Sequence, residues 1–273
     1  MGTGDRVFNS GRLDLLPQPL YPEKTGAYTA PMATLPDIRV GCCGFPMARA
    51  AYFRRFRLVE VQQTFYQPPR LETLARWRAE AGAGFEFTLK AWQLITHEPA
   101  SPTYRRLTWP IPEALKERYG SFRPTQEVME AWRITATCAR ALQARIVVFQ
   151  CPASFGPTEE HIAHLIHFFQ AARAGHEDLV FAWEPRGPWP EATVAGLCRK
   201  LELVHVVDPF QAQPAVPGLR YYRLHGIGGS RYRYGDRDLE RLAQWCEGRT
   251  YCLFNNVAMA DDAARFARLL GNR

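Results

Sequence analysis

The chain has 273 residues, 47% of them hydrophobic, and carries 34 Lys and Arg against 27 Asp and Glu for a formal charge of +7. That is ample apolar material for one large α/β domain or two small ones, with no stretch of disordered composition. The longest apolar runs are too short to span a bilayer, and the positive balance favours anionic partners.

Residues 1–36 are rich in Pro and Gly and lack a continuous apolar stretch, which predicts an extended N-terminal arm rather than a signal peptide, and a cytoplasmic protein. From Ile38 onward short β-branched and aromatic runs alternate with amphipathic ones. Strands are predicted over 38–43, 57–64, 85–91, 145–150, 179–184, 203–208, 220–225 and 250–255. Helices are predicted over 48–56, 70–81, 125–143, 158–173, 190–201, 236–247 and 261–270. Thr125 and Thr158 read as N-caps, each with an acidic residue in the following turn. Strands regularly separated by helices imply a parallel sheet. Eight of them at this length predict a single (β/α)8 TIM-type barrel over 37–273, with a doubly wound open sheet as the alternative.

Two connections depart from the pattern. Residues 209–219 form a Pro- and Gln-containing loop where a helix would be expected. Residues 98–124 are longer than an ordinary loop and carry Tyr104, Arg105, Arg106, Trp109, Lys116, Arg118, Tyr119, Phe122 and Arg123. Long connections in compact domains are expected to be functional or disordered.

The seven cysteines include no C-x-x-C pair and read as buried free thiols of a reducing compartment. Cys42 and Cys43 are adjacent on one strand, so at most one thiol points toward a site. His161, His164 and His167 fan across the polar face of a helix whose core stripe is Ile162, Leu165, Ile166 and Phe169. They are expected to be solvated rather than to hold a metal.

The most informative positions are polar groups at the downstream ends of apolar strands, where an unpaired charge costs several kcal/mol and where barrel sites form. Strand alternation places Glu60, Gln62 and Thr64 on one face, and Glu86, Thr88 and Lys90 on another. It also aligns Gln150 with Val148, Glu184 and Arg186 with Ala182, and Asp208 with Val206. Arg223 aligns with His225, and Asn255 with Leu253. The opposite faces (Val59 and Val61, Val147 and Phe149, Phe181 and Trp183, Cys252 and Phe254) suit packing against helices. If the polar parity faces the barrel axis, carboxylates converge there with a lysine, arginines and a histidine. Such a set is either catalytic or a structural ion-pair network. Lys90 is expected to pair with a carboxylate such as Glu60, or else to serve as a Schiff-base amine. His97 lies near the rim, as an acid or base or as a loop residue. The turn His225-Gly226-Ile227-Gly228-Gly229-Ser230 suits a phosphate, and Arg231, Tyr232, Arg233 and Tyr234 alternate as in strand-binding surfaces.

These segments resemble the YecE-like family, domain of unknown function 72, over about residues 38–270. The matching stretches are Val40-Gly41-Cys42-Cys43-Gly44-Phe45, Val59-Glu60-Val61-Gln62-Gln63-Thr64-Phe65-Tyr66, Lys90-Ala91 and Leu94-Ile95-Thr96-His97. They continue with Phe149-Gln150-Cys151-Pro152, Glu184-Pro185-Arg186, Tyr222-Arg223-Leu224-His225-Gly226 and Phe254-Asn255-Asn256. Many members of the family have Asn in place of Gln62, a Gly-Thr/Ser-Gly type turn in place of Cys42-Cys43, and aromatic and glycine residues in place of Val257-Ala258-Met259-Ala260. The resemblance implies a TIM-type barrel and assigns no reaction.

The leading expectation is an enzyme acting on a phosphate-bearing substrate, a nucleic acid or nucleotide, with metal-assisted phosphoester hydrolysis as one form. Glu60, Lys90, Glu184, Asp208 and His225 are its catalytic candidates. Of these, Glu60, Glu184, Asp208 and His225 are hard ligands for a divalent ion. Gln62, Tyr66, His97, Gln150, Arg186, Arg223, Gly228, Gly229, Arg231, Tyr232, Asn255 and Asn256 are the candidates for substrate contact. A non-catalytic nucleic-acid-binding protein and a metal-free acid/base or Schiff-base enzyme on a small sugar or carbonyl compound are the alternatives.

Overall fold

The structure is a computed structural model that describes Met1 and residues 36–271. Apart from Met1 and Pro36, the expected arm lies outside the described residues. Eight parallel strands close into a barrel in sequence order. They are β1 (Asp37–Cys43), β2 (Leu58–Val61), β3 (Glu86–Lys90), β4 (Ile146–Gln150), β5 (Val180–Glu184), β6 (Val204–Val207), β7 (Arg220–Leu224) and β8 (Arg249–Phe254). The ring shuts through β1 and β8, where Val40 pairs with Cys252 and Cys42 with Phe254. The open-sheet alternative is excluded by that pairing.

Strand alternation sorts the side chains into two cores. Val59, Val61, Phe87, Val147, Phe149, Phe181, Trp183, Cys252 and Phe254 face outward against the helices. Cys43, Leu58, Ile146, Val148, Ala182, Val206, Tyr221, Tyr251 and Leu253 fill the barrel itself. The floor is closed by ions: Arg39 and Arg249 bridge Asp37 and Glu86, and the Tyr251 hydroxyl donates to Glu86 at 2.7 Å. The barrel is therefore a packed core with one polar end to offer, the carboxyl end of its strands.

The outer layer comprises α1 (Arg49–Arg55), α2 (Gln63–Tyr66), α3 (Leu71–Ala81), α4 (Gln93–Thr96), α5 (Gln126–Leu142), α6 (Glu159–Arg173), α7 (Glu191–Leu201), α8 (Asp236–Trp245) and α9 (Met259–Gly271). Thr125 and Thr158 cap α5 and α6 as expected, accepting from the amides of Val128 and His161 at 3.3 and 3.1 Å. No helix separates β6 from β7.

Three local expectations are corrected. β2 ends at Val61, because Gln62 turns into the helical region (φ −90°, ψ −24°) and starts α2. Gln62 and Thr64 therefore leave the strand face, and Thr64 ties β2 to β3 by donating to Lys90 O at 2.7 Å. Residues 98–124 are ordered: short 3₁₀ turns occupy Pro102–Arg106 and Glu113–Arg118. There the Tyr104 hydroxyl holds His97 O at 2.7 Å, and Phe122 packs on Phe149, Phe155, Phe168 and Phe169. On α6 the histidines are not simply solvated, since His161 stacks on Phe155 at 4.5 Å and bonds Gly156 O at 2.9 Å.

All seven cysteines are free and buried. Cys42 faces the helix layer, where burial pushes its thiol up to about 12. Cys43 faces the axis beside Arg223, where burial raises its thiol as well. No helix among the described residues is long and apolar enough to cross a membrane.

Candidate active site at the carboxyl end of the barrel

The site is built on Arg223, whose side chain is 1% exposed and inserted from β7 between two buried carboxylates. Its Nη2 donates to Glu60 Oε1 at 2.9 Å, and its Nη1 donates to Glu184 Oε2. Glu60, fully buried, accepts further bonds from Gln62 Nε2 and from the Tyr221 hydroxyl, the latter at 2.8 Å. Thr88 Oγ1 lies 2.7 Å from that hydroxyl. Since the single phenolic proton goes to Glu60, Thr88 donates to Tyr221. The result is a chain Thr88–Tyr221–Glu60–Arg223–Glu184 spanning four strands. Such an assembly repays the desolvation of its charges only because nearly every group has a partner.

Glu184 also accepts from Arg186 Nε at 2.8 Å, and His225 Nε2 stands 3.4 Å from the same oxygen. Burial alone would push this carboxyl up, but Arg223, His225 and Arg186 outweigh it and hold it well below the usual range. Glu184 is thus ionised throughout the neutral range. His225 is held between Asn255 Nδ2, 3.1 Å from Nδ1, and Arg186 Nη2, 3.0 Å from Nε2.

Lys90 is the exception in this network. It ends β3 on the interior face and is 5% exposed, yet makes no salt bridge or hydrogen bond with its amine among the described residues. Instead Nζ sits 3.4 Å from the centroid of the Phe65 ring. The expected Lys90–Glu60 pair does not form among the described residues; Glu60 accepts instead from Arg223 Nη2, Gln62 Nε2 and the Tyr221 hydroxyl. Burial, followed by the nearby Arg223, lowers the amine from 10.5 to about 7 against the pull of Glu184 and Glu60. The His97 ring lies edge-on to Phe65, with centroids 4.9 Å apart. Its Nδ1 bonds Thr96 Oγ1 at 2.7 Å, and burial, then Lys90 and Arg186, push it down to about 3. His97 is therefore neutral beside Lys90.

A cavity of about 840 Å³ opens at this end between the loops that follow β5, β6, β7 and β8. Glu184, Arg186, Asp208, His225, Gly228, Gly229 and Asn255 line it, together with His205. Gly226 shapes the wall: it has φ +91°, and a Cβ there would lie 2.3 Å from Gly229 O. Only glycine makes that turn without strain. The amides of Ile227 and Gly228 pair with no acceptor among the described residues and belong to the cavity wall.

The structure does not bring the four hard ligands together. No group of three His, Cys, Asp or Glu side chains is arranged to hold a metal ion among the described residues. Glu60 and Glu184 are committed to Arg223. Asp208 accepts from the amides of His225 at 2.9 Å and Phe210 at 3.1 Å, tying β6 to β7; its burial raises its carboxyl. Their donor capacity is spent on the protein, so the residues present do not fit a resident divalent ion.

Several substrate-contact candidates are bracing residues. Asn256 Nδ2 reaches Tyr232 O and Asp262 Oδ2 at 2.8 and 2.7 Å, and the Tyr232 hydroxyl goes to Asp238 at 2.8 Å. Both support the glycine turn from behind. Gln150 donates to Cys151 O at 3.0 Å. Tyr66 lies on the rim under Arg106, 4.1 Å from its guanidinium carbon, and Arg231 is exposed. Tyr221, Phe65 and His205 were missed. Tyr221 was open to detection, since it shares the strand face of Arg223. Phe65 follows a strand end that the alternation overran, and His205 has outward parity and gave no signal.

A family model described as "Protein of unknown function DUF72" matches residues 48–273. The chain belongs to the DUF72 family. Among solved structures it is similar to a DUF72 family protein from Enterococcus faecalis, at 21% identity and TM-score 0.63, covering 88% of this chain and 99% of that one. A DUF72 family protein from Thermotoga maritima is similar at 17% identity and TM-score 0.58, covering 86% and 99%. Endonuclease IV from Thermus thermophilus follows at 12% identity and TM-score 0.51, covering 87% and 100%. At these identities the likeness speaks for the fold. No curated protein matches the sequence. Within this ion network the amine of Lys90 stands out, because it pairs with no carboxylate among the described residues.

Proposed function

We propose that this DUF72 chain is an enzyme that receives a phosphate-bearing substrate at the carboxyl end of its barrel and acts on it without a resident metal ion. The observation that carries the reading is the cavity that joins Arg186, His225 and the glycine turn. Arg186 offers its charge and its Nη1, which bonds no acceptor among the described residues, and the Ile227 and Gly228 amides offer uncommitted donors where loops after β7 commonly take phosphate. Glu184 orients Arg186 and His225, and the buried chain behind it keeps Glu184 rigid. Near pH 7 part of Lys90 is a neutral amine, and His225, whose Nε2 accepts from Arg186, stands in the same cavity wall as the glycine turn. Reduced thiols and the absence of a membrane-spanning helix among the described residues accord with a cytoplasmic setting.

The test is a panel of sugar phosphates, nucleotides and labelled single-stranded and duplex DNA and RNA, each with EDTA or with Mg²⁺, Mn²⁺ or Zn²⁺. Turnover insensitive to EDTA and lost in Arg186→Ala supports the reading. Turnover that requires a divalent ion would return the chain to metal-assisted hydrolysis.

One observation favours a second reading, a non-catalytic nucleic-acid-binding protein. The rim carries Arg106 over Tyr66 and the exposed Trp109, a basic and aromatic combination suited to a strand. Under that reading Arg105→Ala or Arg231→Ala weakens binding across sequences and lowers the salt slope by about 1.

A further inference from the structure

Phosphate binding accounts for Arg186 and the glycine turn but leaves Lys90 without a task. The chain has only four lysines, Lys24, Lys90, Lys116 and Lys200, among its 34 basic residues. An arginine would serve any purely electrostatic purpose at least as well, since its charge is permanent. Lys116 pairs with Glu113 on the surface, and Lys200 is exposed. Only Lys90 among the described lysines is buried. No carboxylate among the described residues pairs with it: Glu60 is bonded to Arg223, Gln62 and Tyr221, and Glu184 to Arg223 and Arg186. Phe65 covers one side at 3.4 Å and supplies an apolar wall. Glu184 and Arg186, which line the cavity, are near enough to act on the charge of Lys90. Lys90 is not among the residues that line that cavity; its amine stands on the interior face at the end of β3, at the same carboxyl end of the barrel.

We propose that Lys90 forms a Schiff base with the carbonyl carbon of a phosphorylated aldehyde or ketone whose phosphate is held by Arg186 and the glycine turn. The proposal rests on the phosphate reading of that cavity and names its substrate class. In the step, the nitrogen lone pair of neutral Lys90 forms the C–N bond. The carbonyl oxygen takes one proton from that nitrogen and one from an acid, and leaves as water. The iminium so formed keeps one N–H and the positive charge. His225 Nε2 accepts from Arg186 and carries no proton there, so the second proton is drawn from solvent at the cavity. The desolvation that lowers the amine to about 7 gives it about a thousandfold more free base at pH 7 than an exposed lysine with pKa about 10.4.

Pyridoxal 5′-phosphate serves as a phosphorylated aldehyde probe. The full chain is incubated with it at pH 7, reduced with borohydride, digested and mapped by mass spectrometry, with parallel arms using pyridoxal and excess inorganic phosphate. The expected result is a reduced adduct at Lys90 at least about tenfold above Lys116 and Lys200, suppressed by phosphate and weaker with pyridoxal. Because the map is read on the unmodified sequence, it does not depend on a variant that folds. Adducts confined to the other lysines would overturn the proposal. So would phosphate-sensitive probe binding with no adduct at Lys90, which leaves the phosphate reading standing. An adduct at Lys90 that forms equally with pyridoxal and ignores phosphate would overturn the phosphate reading and the substrate class with it.

Discussion

Replacing Lys90 by Met removes the amine while keeping the length and apolar body of the side chain. Lys90 is 5% exposed, so solvent screening does little to relieve the cost of its charge. Moving the amine from 10.5 to about 7 corresponds, at about 1.4 kcal/mol per pH unit, to about 5 kcal/mol. Below pH 7 the lysine is protonated in both states and the folded protein bears that whole cost. Between pH 7 and 10.5 only the unfolded chain binds the proton, so stability rises with pH. Above 10.5 both states are neutral and the cost is gone. Glu60, Glu184, Arg186, Arg223 and His97 face the amine in wild type and variant alike. Of these, Glu184 stays ionised, Arg223 stays charged and His97 stays neutral over the range. Lys90→Met is therefore expected to exceed wild type by about 5 kcal/mol at pH 6 and by progressively less toward pH 10. Urea unfolding of both proteins at pH 6, 8 and 10 measures the difference. A gap that does not change with pH would show that Lys90 stays charged, and would remove the basis for its chemistry.

Glu184→Gln takes one carboxylate from buried Arg223 and is expected to cost about 3–5 kcal/mol at pH 7. Because the folded carboxyl lies well below its ordinary value of 4.5, its stabilisation is full above 4.5 and is lost as pH falls through the folded value. Urea midpoints at pH 7 and pH 3 should show the variant and wild type converging in acid, and a constant separation would contradict this. Gly226→Ala sets a Cβ 2.3 Å from Gly229 O at φ +91°. Strain of about 1–3 kcal/mol should lower Tm and weaken phosphate binding together, and unchanged binding would remove the turn from the site. His225→Asn should leave the urea midpoint within about 1 kcal/mol while lowering turnover of whichever substrate the panel identifies, because Arg186 loses the ring that holds it; unchanged turnover would remove His225 from the site.

The fold was legible because a barrel repeats its own signal. Each of the eight apolar runs had to be buried on both faces, and the helical stripes between them left few other topologies. The interior parity was legible too: Glu60, Lys90, Arg223 and Glu184 follow from a period of two. What alternation could not decide was the pairing among them. One lysine and two arginines compete for two carboxylates, and the winner depends on which guanidinium fork reaches across the axis. Arg223 reaches both, and Lys90 pairs with neither. The end of β2 was misjudged because Gln62-Gln63-Thr64 reads equally as strand or turn, and the tertiary bond from Thr64 to Lys90 O settles it. Asn256 and Tyr232 were placed in contact with substrate on local pattern alone, whereas their partners Asp262 and Asp238 come from α9 and α8, later in the chain.

Phosphate is expected to enter the mouth between β5 and β8 and to be held by Arg186 and the glycine turn. Calorimetric titration of wild type and Arg186→Ala with inorganic pyrophosphate tests it most directly. The account predicts one site per chain, weakened about ten- to a hundredfold by loss of a charged hydrogen-bond donor. Equal affinity in the two proteins, or no binding heat in either, would contradict it.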